Sequence, residues 1–343
     1  MSASLDALPF IDLYIQLDGS ESPTFRSNER GKSTHNQLVP EEYLPAVEQF
    51  GVKVKAELQD SADGTISLDG LRVRLSKQRM ADGTLWACAR RINTGLPNLF
   101  ELGFAQHISN HMHSLGQRDG LIVISGSAGQ GKTTTAAALL IDFLKSYGGT
   151  AITIEDPVEY VMKGRHGDFG QCFQVEVKSE DEWAPTLERS LRWGPRYIFV
   201  GEIRTPKAAE QLIQAATTGH TVITTLHGGM PEEALASLLF LAEQAMGAGA
   251  GGILAGCLTA LMHQTMKEDG PFVRYLFTEE DSASDPIRSL IRENKIGMLS
   301  TYIDRIAARL ANQPLSSSGG SGGRAGGLGG APSPLPPLPP IRK

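Results

Sequence analysis

Cysteine is scarce in this chain, three residues in 343, and Cys88, Cys172 and Cys257 lie far apart with no C-x-x-C pair. That spacing excludes a disulfide framework and fits a reducing compartment, with each thiol read as a small buried hydrophobe. Basic excess is missing as well. Lys and Arg total 32 against 38 Asp and Glu, a formal net charge of −6. A surface dominated by nucleic-acid binding is therefore disfavoured, because such binders carry basic patches. Long apolar runs are absent too. The first nine residues carry no basic stretch followed by an apolar one, so no signal peptide is expected. The longest uncharged stretch, 244–267 at its limits, holds five glycines within 247–256 and ends polar. It is read as a buried, partly helical core segment, not a membrane span. What remains is ordinary globular material, 41% hydrophobic and long enough for two domains.

One stretch organises the rest. Leu121, Ile122, Val123, Ile124 and Ser125 form an apolar run that reads as a buried parallel strand. Gly126, Ser127, Ala128, Gly129, Gln130, Gly131, Lys132 and Thr133 follow and match G-x-x-x-x-G-K-S/T. From Thr134 to Tyr147 the composition is helical. Strand, glycine loop and helix in that order are the context a phosphate-binding loop requires. The glycines reach positive φ and let backbone N–H groups approach an anion. Those groups and the helix N-terminus present positive charge to phosphate. Lys132 adds a mobile full charge, and the Thr133 hydroxyl can hold Mg²⁺. Nucleoside triphosphate binding is expected.

Before that loop, 1–115 reads as a separate α+β domain. The segment 11–17 alternates apolar and polar residues, 37–50 has helical spacing, and 71–75 and 85–92 form a hairpin around Asp82-Gly83. Arg72 and Arg74 share one face of the hairpin, and a solvated sheet face is their simplest explanation. Helical spacing over 104–115 leads to a boundary near 114–120. After the loop, 116–312 alternates strands with helices, which gives a parallel, doubly wound sheet. The strand at 151–155 ends in Glu155, Asp156, Pro157 and Glu159 at the edge where ligands bind in such sheets. These carboxylates are candidates for orienting water and for the Mg²⁺ shell. The strand at 196–200 delivers Glu202, and 221–225 is bracketed by His220 and His227, read as facing the same sheet edge. A helix is expected over 285–311, closed by Pro314. The segment 313–343 is rich in Gly, Ser and Pro and is expected to be disordered.

With these residues in place, the chain resembles the secretion-ATPase superfamily over roughly 65–310, and within it the PilT-type retraction motors of type IV pili and their relatives in type IV secretion and conjugation. Residues 152–160 resemble the family's Asp box, 197–204 its Walker B strand, and 215–227 its His box. Residues 286–293 resemble the signature helix of retraction motors. Three scattered cysteines cannot build the four-cysteine zinc site usual in assembly ATPases. There are departures. Trp193 and Gly194 stand where acidic residues are usual, Glu188 stands where an arginine is usual, and the chain before residue 65 is atypical.

The resemblance implies an N-terminal α+β (PAS-like) domain, then a RecA-like P-loop domain with a mostly parallel sheet. It implies an ATP- and Mg²⁺-dependent ATPase assembled as a homo-hexamer, cytoplasmic and peripheral to the inner membrane, working on platform or channel proteins of a pilus or secretion system. Glu159 is then the catalytic carboxylate and Glu202, with Thr133, the metal-side group. Lys132, Thr134 and the loop bind nucleotide, His227 is a further catalytic candidate, and His220 and Arg192 are further site candidates. Arg74 and Arg90 take the place of phosphate-reaching arginines, with Arg91 as the alternative to Arg90. Arg288 and Arg292 are assigned to coupling hydrolysis to a partner. Two other readings stand beside this one. A nucleotide-gated scaffold with little hydrolysis is motivated by the departures at Glu188 and Trp193. A nucleic-acid translocase is disfavoured by the acidic balance.

Overall fold

The computed structural model describes residues 3–303 except 20, 28–34, 69–70, 93–94, 268–269 and 279–284. Period-two alternation builds the N-terminal half. Strands β1 (Phe10–Gln16), β2 (Thr24–Ser27), β3 (Asn36–Leu38), β4 (Asp63–Leu68), β5 (Leu71–Arg79) and β6 (Leu85–Ile92) form an antiparallel sheet ordered β3-β2-β1-β6-β5-β4. Helix α1 (Leu44–Glu57) packs Val47, Phe50 and Val54 with Leu13, Ile15, Val73, Leu75, Ala87 and Ala89. Successive side chains point to opposite faces, so Asp12, Tyr14, Arg72, Arg74, Cys88 and Arg90 fall on the face away from that core. The register agrees, with Arg74 and Asp12 each opposite Arg90.

Two expectations for this half need correcting. The helix read at 37–50 starts later, because 36–38 joins the sheet edge and 41–43 forms a single 3-10 turn after Pro40. A residue preceding proline is held extended, so Val39 cannot enter a helix. Cys88 is not buried in the core but half-exposed on the open face. Cys172 and Cys257 are buried as expected.

The second half contains β7 (Gly120–Gly126), β8 (Gly149–Glu155), β9 (Gly164–His166), β10 (Gly170–Glu176), β11 (Tyr197–Glu202), β12 (Thr221–His227), β13 (Leu258–Lys267) and β14 (Gly270–Phe277), in the sheet order β14-β13-β7-β12-β11-β8-β10-β9. The six strands from β13 to β10 run parallel, and the two edge strands fold back antiparallel. Every residue of β7 is buried, which is why its sequence shows no alternation. Helices α2 (Gln106–Ser114) and α3 (Lys132–Tyr147) pack on one sheet face. Helices α4 (Trp183–Leu191), α5 (Pro206–Thr217), α6 (Pro231–Met246), α7 (Ala250–Cys257) and α8 (Pro286–Arg292) pack on the other.

Residues 99–115 depart from the expected division. Leu99, Phe104, Met112 and Leu115 share a core with Ile122, Leu140 and Phe143. Helix α2 therefore belongs by packing to the P-loop half, and we propose the division ahead of Leu99 instead of at 115. Segment 244–267 is partly helical as expected, through the end of α6 and α7, and from Leu258 it continues as strand β13. No turn residue separates Cys257 from Leu258, so the apolar run hides the change of period. Together α6 and α7 make one helical stretch, Pro231–Cys257, long and apolar enough to cross a membrane by composition alone. Leu235, Leu238, Leu239, Leu254 and Ala255 from it are buried in the domain core. The helix read at 285–311 breaks after Arg292, where Asn294 takes φ 54°. Residues 304–311 and the tail at 313–343 lie outside the described residues.

Candidate nucleotide site

The loop after β7 is shaped by close approach. Gly126 has φ 153°, and a Cβ there would collide with the Gln264 carbonyl of β13. Gly131, at φ 76°, starts α3. Strand β13 braces the loop from the side. Gln264 donates Nε2–H to the Gln130 carbonyl at 2.6 Å and accepts from Thr135 Oγ1 at 2.8 Å. The Met266 N–H donates to Gln130 Oε1 at 2.6 Å. Lys132 is folded back, its Nζ donating to the Ser127 carbonyl at 2.9 Å. Burial pulls its ammonium pKa down, while the Glu202 and Glu159 charges oppose that shift.

Opposite the loop, the ends of β8, β11 and β12 present acids and bases. A cleft of about 430 Å³ is lined by residues 128–134 and by Glu155, Asp156, Glu159, Trp183, Glu202, Arg204, Thr225 and His227. Glu202 is held at both oxygens, by Arg204 Nη2 at 2.8 Å and by His227 Nε2 at 3.3 Å. That hydrogen bond raises the Arg204 pKa. Glu155 is 2% exposed and accepts at Oε1 from Thr153 Oγ1 at 2.6 Å and Gln174 Nε2 at 3.0 Å. Burial pushes its carboxyl up to about 7. The Tyr160 hydroxyl meets Thr134 Oγ1 at 2.7 Å, tying the residue after Glu159 to the first turn of α3.

Among the described residues, no three His, Cys, Asp or Glu side chains gather to cage a metal. A hydroxyl at Thr133 and a carboxylate at Glu202, both lining the cleft, suit Mg²⁺, which keeps waters and shares phosphate oxygens.

Residues 66–287 match the model of the family described as "Type II/IV secretion system protein". The chain belongs to that family. It is 38% identical over 142 residues to a type II secretion system protein E of Dickeya dadantii, covering 41% of this chain and 27% of that protein. It is 32% identical over 214 residues to the type IV pilus ATPase PilU of Pseudomonas aeruginosa, covering 60% of this chain and 53% of that one. The chain thus spans about a quarter to a half of the length of these curated relatives. The solved structure of the pilus retraction motor PilT with bound ADP superposes with TM-score 0.67 at 27% identity, covering 87% of this chain and 86% of that one.

The other residues expected to act in this secretion-family chain are dispersed. Arg74 and Arg90 face each other across β5 and β6 and do not line the cleft. Arg90 is bound to buried Asp12, Nε to Oδ1 at 2.7 Å, an acid that also pairs with Arg26 at 3.1 Å. Arg91 points to the opposite side, stacked over Phe10 at 4.5 Å and donating to the Leu8 carbonyl at 2.8 Å. His220 and His227 sit at opposite ends of β12, not at one sheet edge as expected. Strand rise puts them roughly 20 Å apart. His220 Nδ1 bonds the Pro195 carbonyl at 2.6 Å, a local structural contact. Arg192 is exposed and pairs with Glu188 at 3.7 Å. Arg288 donates to the carbonyls of Ala255, at 2.7 Å, and Gly256, at the C-terminus of α7. Arg292 is exposed on α8.

Sequence reading also missed partners of the site. Arg72 of β5 reaches Glu176 of β10 at 3.6 Å, and Glu176 accepts the Val158 N–H at 3.2 Å. Gln174 accepts from the N–H groups of Met162 and Lys163 as well as bonding Glu155. Both Glu176 and Gln174 lie on β10, whose polar, near-edge sequence gave no strand signal.

Proposed function

We propose that this chain is a Mg²⁺-dependent ATPase that assembles as a homo-hexamer and drives type IV pilus retraction or a related type IV secretion or conjugation machine. In that reading it is cytoplasmic, peripheral to the inner membrane, and acts on platform or channel proteins there. One observation carries it: Lys132 and the loop's N–H groups face Glu159 and Glu202 across a cleft of nucleotide size. Family membership and the likeness to an ADP-bound retraction motor support the same reading.

Phosphoryl transfer asks a protein mainly for positioning and charge. Residues 128–134 hold the phosphates by N–H groups and the α3 N-terminus. Lys132 leaves the Ser127 carbonyl and moves to the β/γ-phosphates. Glu159 orients and deprotonates the attacking water, and Tyr160 fixes that loop on Thr134. Mg²⁺ held by Thr133 and Glu202 supplies further positive charge when bound. His227 and Arg204 hold the Glu202 carboxylate in place at the cleft. Arg74 and Arg90 add charge to the phosphates as domains close, which for Arg90 requires exchanging Asp12 for phosphate.

Steady-state phosphate release tests this. Glu159→Gln is expected to keep nucleotide bound while turnover falls at least ~10²-fold, the usual scale for a positioned base. Lys132→Ala is expected to lose most affinity, because a charge-assisted phosphate contact is removed. Wild-type protein that binds nucleotide and releases no phosphate would favour the scaffold reading.

A further inference from the structure

Directly beneath the phosphate loop lies a buried polar cluster that the reading above does not use. Ser125, the residue before Gly126, is fully buried and opposite His263 in the β7–β13 register. Its Oγ meets His263 Nδ1 at 3.1 Å and the Met262 carbonyl at 3.4 Å. His263 is 6% exposed, and the next residue, Gln264, grips the loop at Gln130. Above the same strand, Glu232 opens α6, and both its carboxylate oxygens are buried with no hydrogen-bond partner among the described residues. A buried carboxylate without a donor is costly and calls for a cation nearby.

The charged groups facing His263 come from every element around it. Arg274 stands opposite it on β14, Glu232 and Glu233 lie on α6, and Lys132 lies on α3. Glu233 is committed elsewhere, accepting the Gly229 N–H at 3.0 Å. Burial first, then Arg274 and Lys132, favour neutral imidazole, and the two glutamates favour imidazolium. The balance therefore shifts when an anion enters the loop above and offsets the Lys132 charge.

We propose that His263 is a positioning residue for the phosphate loop, which it holds through Ser125, and that it gains a proton, facing Glu232, when a nucleotide's phosphates occupy that loop. This rests on the nucleotide-binding reading of the cleft. The proton comes from solvent, so binding becomes proton-linked. Affinity should then rise as pH falls through the window between the free and the bound pKa of His263, by at most about tenfold per pH unit for one proton.

The test compares full-length wild type, His263→Asn, His263→Gln and Lys132→Ala for ATP and ADP affinity from pH 5.5 to 8.5, with melting temperatures recorded alongside. Asn keeps an acceptor where Nδ1 stands, and Gln keeps a polar atom where Nε2 stands, but neither titrates. The phosphates' own protonation is common to all variants and cancels in the comparison. Expected is a steeper rise of affinity toward low pH in wild type than in either folded variant, with His263→Asn closer to wild type at pH 8.5. Profiles that run parallel would overturn the proposal and leave His263 a structural group. Wild-type protein whose affinity is unaffected by Lys132→Ala would overturn the nucleotide reading itself. The two failures are therefore distinguishable.

Discussion

Glu155 lines the cleft in surroundings that alter its chemistry. Its carboxyl titrates near 7 in the fold against a usual 4.5, because burial penalises the charged form. The sign follows from that direction. The folded state favours the proton, so the stabilising contribution is complete below pH 4.5 and is lost as pH rises through about 7. The difference corresponds to something on the order of 3 kcal/mol. Glu155→Gln keeps the acceptor for Thr153 and Gln174 and cannot ionise. Melting curves from pH 5 to 8.5 should show wild type losing stability with pH more steeply than this variant. Equal slopes would mean that Glu155 ionises without cost. Tyr160→Phe probes the neighbouring position. It removes a hydroxyl from Thr134 and nothing from the loop's N–H groups, so turnover should fall more than nucleotide affinity. A loss in affinity alone would place Tyr160 in binding.

At the scale of elements, α8 behaves differently from its sequence reading. Ile287 and Ile291 are buried and Leu290 only partly so. Arg288 spans to the last carbonyls of α7, satisfying acceptors that no helical N–H can reach. Arg288→Ala should therefore cost about 1.5–3 kcal/mol, the scale of a charged hydrogen bond, and lower the melting temperature. Arg292→Ala should cost less, being exposed, and Ile291→Ala about 2–5 kcal/mol. Equal melting temperatures for the two arginine variants would remove the capping role. A coupling test in cells therefore needs the melting temperature of each arginine variant beside it.

Much of this was legible because buried parallel strands and a glycine loop leave strong local marks. The β7–loop–α3 unit, β8, β11, β12 and the β5–β6 hairpin all carried them. What was not legible depended on neighbours distant in sequence. Strand β10 is polar and takes its place by pairing with β8, and β13 follows α7 without a break in hydrophobicity. The partners of Arg90 and Arg288 lie 78 and 33 residues away, beyond any periodicity. His220 and His227 were also expected at one sheet edge, although His220 precedes the seven-residue strand β12 and His227 ends it.

For the whole molecule, an ion pair at Glu176 joins the two sheets close to the chemistry. Arg72 touches it from the N-terminal sheet, and the Val158 N–H binds it from the loop that carries Glu159. Arg72→Ala should slow turnover while leaving ATP affinity near wild type, measured as kcat against nucleotide Kd. Equal loss in both would assign Arg72 to general stability.

Both contacts converge on a single atom, Glu176 Oε2. Tension that draws the N-terminal sheet away from β10 is thus felt one peptide from the Asp156–Pro157 bend, on the strand side of Glu159. In the ring proposed above, a subunit whose N-terminal sheet is held back would have the loop carrying Glu159 held back with it. On that proposal, resistance from outside would set the pace of hydrolysis within.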